Sequence, residues 1–297
     1  MAEERFPYGG QAVIEGVMVR GREGYVTAFR LADGGIEVHK HPWRPFARRH
    51  RLLSLPLIRG TPALLDALVV GYRSLIASAN AAAREEGLRP PSPAHYALSI
   101  AAALAFVIGG FVLLPSAVVP RLGLPPMALN AIEGAVRFGA FLVFLLLVSR
   151  MPDMRRVFQY HGAEHKVINA FEATGRYDIA AAREHGKAHR RCGTSFIFTV
   201  LVVGIVVHGL VGWPAWHLRL LSRLVLLPVV AGVSYELIRL AGRYPSSRLL
   251  GALAAPGVWL QGITTREPTE DQLEVARAAL EGVLELDRVR APVGAEG

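Results

Sequence analysis

Cysteine is almost absent from this chain. The single thiol, Cys192, among 297 residues leaves no partner for an intramolecular disulfide, which excludes a disulfide-stapled scaffold. Acidic residues are scarce beside basic ones: 24 Asp and Glu against 33 Lys and Arg, a formal charge of +9. Charge of either sign is missing altogether from Ala97 to Val119. Coiled into a helix at about 1.5 Å per residue, that run reaches roughly 34 Å, enough to cross a bilayer. There is no G-x-x-x-x-G-K-[ST] phosphate loop, and the Gly9-Gly10 pair is too short to replace one. Internal repeats and low-complexity tracts are missing too. The first twenty residues contain Glu3, Glu4 and Glu15 and no uninterrupted apolar stretch, so no secretory leader is expected there.

What the chain does have is apolar surface. It is 52% hydrophobic, with a mean hydropathy of +0.33. Three further apolar runs follow the first: Met127 to Ser149 with Glu133 and Arg137 inside it, Thr194 to Trp216 with only His208, and Leu220 to about Ala241 with Arg223 and Glu236 near its ends. The expectation is a mostly α-helical membrane protein with about four transmembrane helices. A pI near 10.2 raises the question of nucleic acid, but the basic residues are placed for a membrane. They gather before the first span (Arg44, Arg48, Arg49, Arg51) and between spans two and three (Arg150 to Arg191), whereas the other two connections carry only Arg121 and Arg219. By the positive-inside rule the N-terminus, the loop between spans two and three and the C-terminus face the cytoplasm of a multi-pass plasma-membrane protein. The expected partners are the bilayer and its anionic lipid headgroups, with no nucleic acid.

The organisation follows from these runs. Residues 1–60 read as a small β-rich segment, with Ala12 to Arg20 extended and a hairpin turn at Asp33-Gly34-Gly35. Residues 61–90 read as an amphipathic helix opened by Thr61 as N-cap and Pro62 at its first position. It could lie in the interface, pack on the bundle or form a fifth span. Residues 96–150 hold transmembrane helices one and two, and 194–241 hold three and four. Between them, 151–193 form a cytoplasmic helical loop: one helix from Asp153 to Thr174 closed by Gly175, and a second from Ile179 to Arg191 carrying His185 and His189. Residues 242–297 comprise an irregular, interfacial or re-entrant stretch from Leu249 to Ile263, then a soluble helix. A capping box, Thr269 with Gln272 three residues later, starts that helix, and Pro292 to Gly297 should fray.

The loop contains His161-Gly162-Ala163-Glu164-His165. On a helix the two histidines lie about 40° apart around the axis, and Glu164 lies about 60° to the other side of His161. Both imidazoles can bind one metal ion while the carboxylate reaches a metal-bound water, as in the H-x-x-E-H pattern of inverted zinc proteases. The competing reading is a surface helix with two histidines. Zinc favours nitrogen and sulfur ligands, and His189 and Cys192 are the nearest candidates for third and fourth ligand. Glu172 or Glu236 are the carboxylate alternatives, although Glu236 also has Arg239 and Arg243 within pairing distance along its helix. Glu15, between Ile14 and Gly16, needs a partner if buried; it either reaches the metal region or a basic residue, or is exposed. Glu133 and Arg137, at i and i+4, should neutralise one another, and His208 reads as a hydrogen-bonded core histidine.

Several segments, in order, resemble the bacterial YqhQ-like integral membrane family, an uncharacterised family described as predicted metal-dependent enzymes. They are Gly9 to Met18, His161 to Lys166, Arg191-Cys192-Gly193-Thr194-Ser195-Phe196, Pro228 to Glu236, and Trp259-Leu260-Gln261 with Thr264 to Pro268. The resemblance covers nearly the whole chain and implies an integral membrane protein with a metal site; it supplies no substrate. The expected function is metal-dependent hydrolysis, with a divalent ion, zinc by preference, on His161 and His165 and with Glu164 as general base. A non-enzymatic metal-binding assembly or regulatory factor is the alternative. A transporter comes third, because spans one and three lack charged residues to line a polar path.

Overall fold

A computed structural model describes residues 6–119, 123–244 and 246–290. Arg121 and the tail from Pro292 to Gly297 lie outside the described residues.

The N-terminal part is a four-stranded antiparallel meander: β1 (Gly9–Val13), β2 (Gly16–Arg20), β3 (Gly24–Arg30) and β4 (Ile36–Pro42). The segment expected to run extended from Ala12 to Arg20 instead folds back on itself. Val13 pairs with Gly16, leaving Ile14 and Glu15 as a two-residue turn. Glu15 takes a φ of 50° there, a conformation that usually selects Gly, Asn or Asp, so the turn carried no sequence signal. The second hairpin behaves as expected: Leu31 N–H donates to Gly35 O at 2.9 Å, and Gly34 takes a φ of 87°.

The helices are α1 (Gly60–Glu85), α2 (Pro93–Val118), α3 (Pro126–Val148), α4 (Pro152–Thr174), α5 (Ile179–Glu184), α6 (Gly193–Val211), α7 (Trp216–Val225), α8 (Leu227–Arg243), α9 (Arg248–Thr264) and α10 (Glu270–Arg290). Within α2, Gly109–Leu113 widens to π-helical hydrogen bonding.

Strand alternation sends Val17, Val19, Val26 and Ala28 to one face of the sheet. There they meet Leu273, Ala276, Leu280 and Val283 of α10 and Tyr160, Ala163 and Val167 of α4. Each fully buried aliphatic side chain of this kind contributes about 1.5–3 kcal/mol. The capping box holds, with Thr269 N–H donating to Gln272 Oε1 at 3.0 Å. At the far end of α10, Asp287 accepts from Tyr8 Oη, Arg22 N and Glu23 N at 2.8–3.0 Å, tying the last helix to the first hairpins. Val13, Met18 and Tyr25 fill the opposite face against Val70 of α1, where Thr27 Oγ1 donates to Ser74 Oγ at 2.9 Å.

Four helices are long and apolar enough to cross a membrane: α1, α2, α3 and α6. A fifth span exists if α7 and α8, bent by 45° where they meet, are counted together. The sequence left residues 61–90 as an interfacial helix, a helix packed on the bundle or a fifth span, and drew the fourth span straight through 220–241; that last stretch is instead bent where α7 meets α8. Helix α1 meets the length and composition of a span, yet its buried side is partly polar: Asp66 accepts from Trp43 Nε1 at 3.0 Å and from Phe46 N, while Ser74 and Ser78 face the sheet. Its cap is also different, because Arg59, not Thr61, occupies the N-cap position and no side chain caps the helix. The stretch from Leu249 to Ile263 is a helix, α9, with Ser247 accepting from Leu250 N and Pro256 inside it.

Candidate metal centre

Helix α4 carries the histidine pair. Pro152 opens it and Gly175, at a φ of 76°, ends it. It is no surface helix. Glu164, His165 and Lys166 are three successive polar residues, all under one-tenth exposed, because the sheet, α10, α9 and the loop after α5 enclose the helix. Gly162 permits the closest approach: a Cβ there would meet the Arg266 carbonyl oxygen, and Arg266 N–H donates to Phe158 O at 2.8 Å. Gly10 does the same for the sheet, where a Cβ would come within 3.2 Å of the Glu164 side chain.

The loop after α5 approaches from the other side. Asp178 caps α5, but the helix ends at Glu184, so His185 and His189 do not share a helical face as expected. Gln261 of α9, 1% exposed, fixes the loop by accepting from His189 N at 2.8 Å and donating to His189 O and Ser195 Oγ at 2.7 and 2.9 Å. Asn169 donates to the carbonyls of Gly186 and Ala188. Cys192 then stands as the N-cap residue of α6 with its thiol turned to α4.

The result is a compact donor group. One ligand atom each from His161, His165 and Cys192 lie within 4.8 Å of one another. His161 Nδ1–H donates to Thr264 O at 2.8 Å, and His165 Nδ1–H donates to Lys187 O at 2.5 Å. Carbonyls only accept, so both rings carry a proton on Nδ1, and in the neutral ring Nε2 is the nitrogen that can offer a lone pair. Carbonyl-tethered imidazoles are the usual support of metal-binding histidines. His161 Nε2 lies 3.3 Å from Cys192 Sγ, close to the ~3.6 Å that separates nitrogen and sulfur across a tetrahedral zinc.

Glu164 completes the picture. Burial pushes its carboxyl above the usual carboxylate range, despite a backbone N–H from Gly10. Its Oε2 is buried with no hydrogen-bond partner and sits 3.5 Å from His165 Nε2. With the His165 proton on the other nitrogen, two lone pairs face one another. That arrangement costs free energy unless a cation or a proton lies between them. The donor set and this orphaned oxygen both fit a divalent ion.

The remaining sequence candidates lie elsewhere. His189 is outside the group of three: its ring is 5.4 Å from that of His165, and its Nε2 is 3.6 Å from Glu172 Oε2. Glu172 also pairs with Arg191. Burial pushes Glu172 up, but the His189 hydrogen bond and the Arg191 guanidinium outweigh it and hold the carboxyl below the usual range. Glu236 of α8 is held by Arg59 at 2.6–2.7 Å, with Arg239 only at 4.0 Å. Glu15, in its turn, pairs with Arg156 and accepts from Tyr160 Oη at 3.3 Å. Sequence reasoning missed the supports Gln261, Asn169 and the carbonyls of Thr264 and Lys187. The segments Trp259-Leu260-Gln261 and Thr264 to Pro268 were the available signal.

Residues 55–286 match a family described as "Protein of unknown function (DUF1385)". The chain is 34% identical over 308 residues to the uncharacterized protein YqhQ of Bacillus subtilis (strain 168), covering 97% of this chain and 96% of that one. No solved structure matches it.

Proposed function

The chain belongs to the DUF1385 family, and from the site it carries we propose that it is a membrane-embedded, metal-dependent hydrolase. The observation that supports this most is the grouping of one ligand atom each from His161, His165 and Cys192 within 4.8 Å, with the orphaned Glu164 Oε2 3.5 Å from His165 Nε2. His161, His165 and Cys192 would hold the ion, zinc by preference because imidazole and thiolate both suit it. When bound, such an ion supplies a polarised water of lowered pKa. Glu164, flanking the donors, takes the proton from the attacking water and returns it to the leaving group. Thr264 and Lys187 keep the imidazoles aimed, and the cover of α9 and the sheet keeps bulk solvent away.

The second reading, a structural metal in an assembly or regulatory factor, draws on the same burial. Cys192 and Glu164 are 6% and 3% exposed, which suits an ion that ties α4 to the loop after α5. Metal analysis of the full chain in detergent tests the site common to both. About one divalent ion per chain is expected, lost in His161→Ala and His165→Ala and weakened in Cys192→Ser. His189→Ala should keep the ion, since the His189 ring faces Glu172. Full occupancy in the His161→Ala, His165→Ala double variant would remove the site.

The reading places the site at the cytoplasmic face, with both termini on that side, because the basic residues cluster there. A reporter fused after Gly175 should read cytoplasmic, and one after Pro214 should read periplasmic. A periplasmic signal at Gly175 would overturn this orientation.

A further inference from the structure

A second polar cluster lies at the other end of the helices that leave the histidine site. Helix α6 starts beside Cys192, and α3 ends just before α4. His208 and Glu133 each sit 15 residues from those ends, roughly 22 Å along a helix.

Glu133, 1% exposed, is the centre. It accepts from Ser116 Oγ at 2.7 Å and from Arg137 Nη2 at 2.9 Å, and pairs with Arg223 of α7. Arg137 also donates to Phe111 O at 2.6 Å. Phe111 lies in the π-helical turn, where the widened ladder frees carbonyls and which recurs at functional sites. One turn before Arg223 on α7, Arg219 is 6% exposed; it donates to Ser116 O at 3.0 Å and covers the Trp213 ring at 4.1 Å.

The charges do not balance. Two guanidiniums, Arg137 and Arg223, pair with the single carboxylate and Arg219 adds a third, a net charge of +2 if His208 is neutral. Among the described residues no carboxylate lies within ion-pair distance of Arg219. Polar atoms remain unused as well: Arg223 Nε and His208 Nδ1 are buried with no hydrogen-bond partner, and the Arg223 side chain is only 10% exposed. His208, expected to be a hydrogen-bonded core residue, is therefore short of a partner. Uncompensated positive charge buried in an apolar helical bundle is costly. It is relieved by an anion.

We propose that Arg219, Arg223 and His208 form a binding site for a phosphate-type oxyanion at the end of the bundle away from the histidines. A guanidinium fork matches a pair of phosphate oxygens in a bidentate way, and the spare charge matches a mono- or dianion. A lipid headgroup or free phosphate supplies this chemistry. The exposed Leu218, Leu221 and Leu224 on α7 favour a headgroup, since they give acyl chains an apolar surface beside the cluster.

The test follows the unfolding midpoint of the full chain in neutral detergent, against inorganic phosphate at constant ionic strength and against phosphatidylglycerol in mixed micelles. Phosphatidylcholine is the control. At a hundredfold excess over Kd the midpoint should rise by about 5 °C, and Arg219→Gln should abolish the rise. A general salting effect would move both proteins equally and overturn the proposal, as would no response of the parent to either probe. A response to phosphate alone marks a soluble anion, and a response to phosphatidylglycerol marks the headgroup. If Arg219→Gln fails to fold, Arg219→Lys keeps the charge without the fork and should need at least a tenfold higher concentration. Parent-like affinity in that variant would overturn the proposal.

Discussion

Glu164→Gln is expected to abolish function in cells while metal content and unfolding midpoint stay at parental values. Glu164 Oε2 has no hydrogen-bond partner, so an amide at that position breaks no bond. The other oxygen continues to accept from Gly10. Size and helix character are kept, and only the ability to take a proton is lost. General-base removal costs about 10²–10⁴ in rate, which complementation of a deletion strain should register as loss of function. Retained function with retained metal would favour the structural-metal reading, in which histidine removal should instead unfold the unit made by the sheet, α4 and α10. Loss of the metal in Glu164→Gln would make Glu164 a ligand and overturn its role as a base.

Gly162→Ala should be among the most destabilising single-methyl changes at the described residues. The added Cβ would stand 2.0 Å from the Arg266 carbonyl oxygen, an obstacle made of backbone with no rotamer to escape into. Overpacking of this kind costs about 3 kcal/mol, which lowers the unfolding midpoint by roughly 5 °C in a chain of this size. The displaced segment also carries Thr264, the acceptor that aims His161, so metal affinity should fall with stability. Gly139→Ala, where a Cβ meets nothing within 4 Å, is the matched control and should be neutral. Equal midpoints for the two variants would show that α4 and the segment at Arg266 are not in contact.

Much of this architecture is legible in the residues themselves. The Gly175 stop, the Thr269–Gln272 box, the Asp33-Gly34-Gly35 turn and the apolar runs all act within a few positions of chain. The His161, Glu164, His165 spacing belongs to the same class, because helix geometry alone places those side chains. What the spacing could not resolve was the partner from the next segment. His189 and Cys192 read as equivalent only if 179–191 is helical; the chain leaves the helix at Glu184, and the loop then turns Cys192 in and His189 toward Glu172. The Nδ1 acceptors are backbone carbonyls of Lys187 and Thr264, groups that every residue has and that carry no signature. Glu15 hid a turn because an acidic residue at positive φ gives no cue, and the α7–α8 bend falls inside an apolar run that hydropathy alone draws straight.

The clasp between α10 and the first hairpins also sets the order in which the chain matures. The sheet is complete at Pro42, but the helix covering Val17, Val19, Val26 and Ala28 begins only at Glu270, 228 positions later. At about 5–20 residues per second, translation takes roughly 10 to 50 seconds to bridge that interval. Throughout that time the apolar side of the nascent meander waits beside the membrane without its lid, while the spans are inserted one after another. The His161, His165 and Cys192 cluster shares the delay, because Gln261 and Thr264, which hold the His189 loop and the His161 ring, emerge among the last elements made. Maturation of the head is therefore a late event governed by ribosome speed and chaperone cover, and a chain cut short before Asp287 leaves the ribosome with an open sheet and nothing to close it.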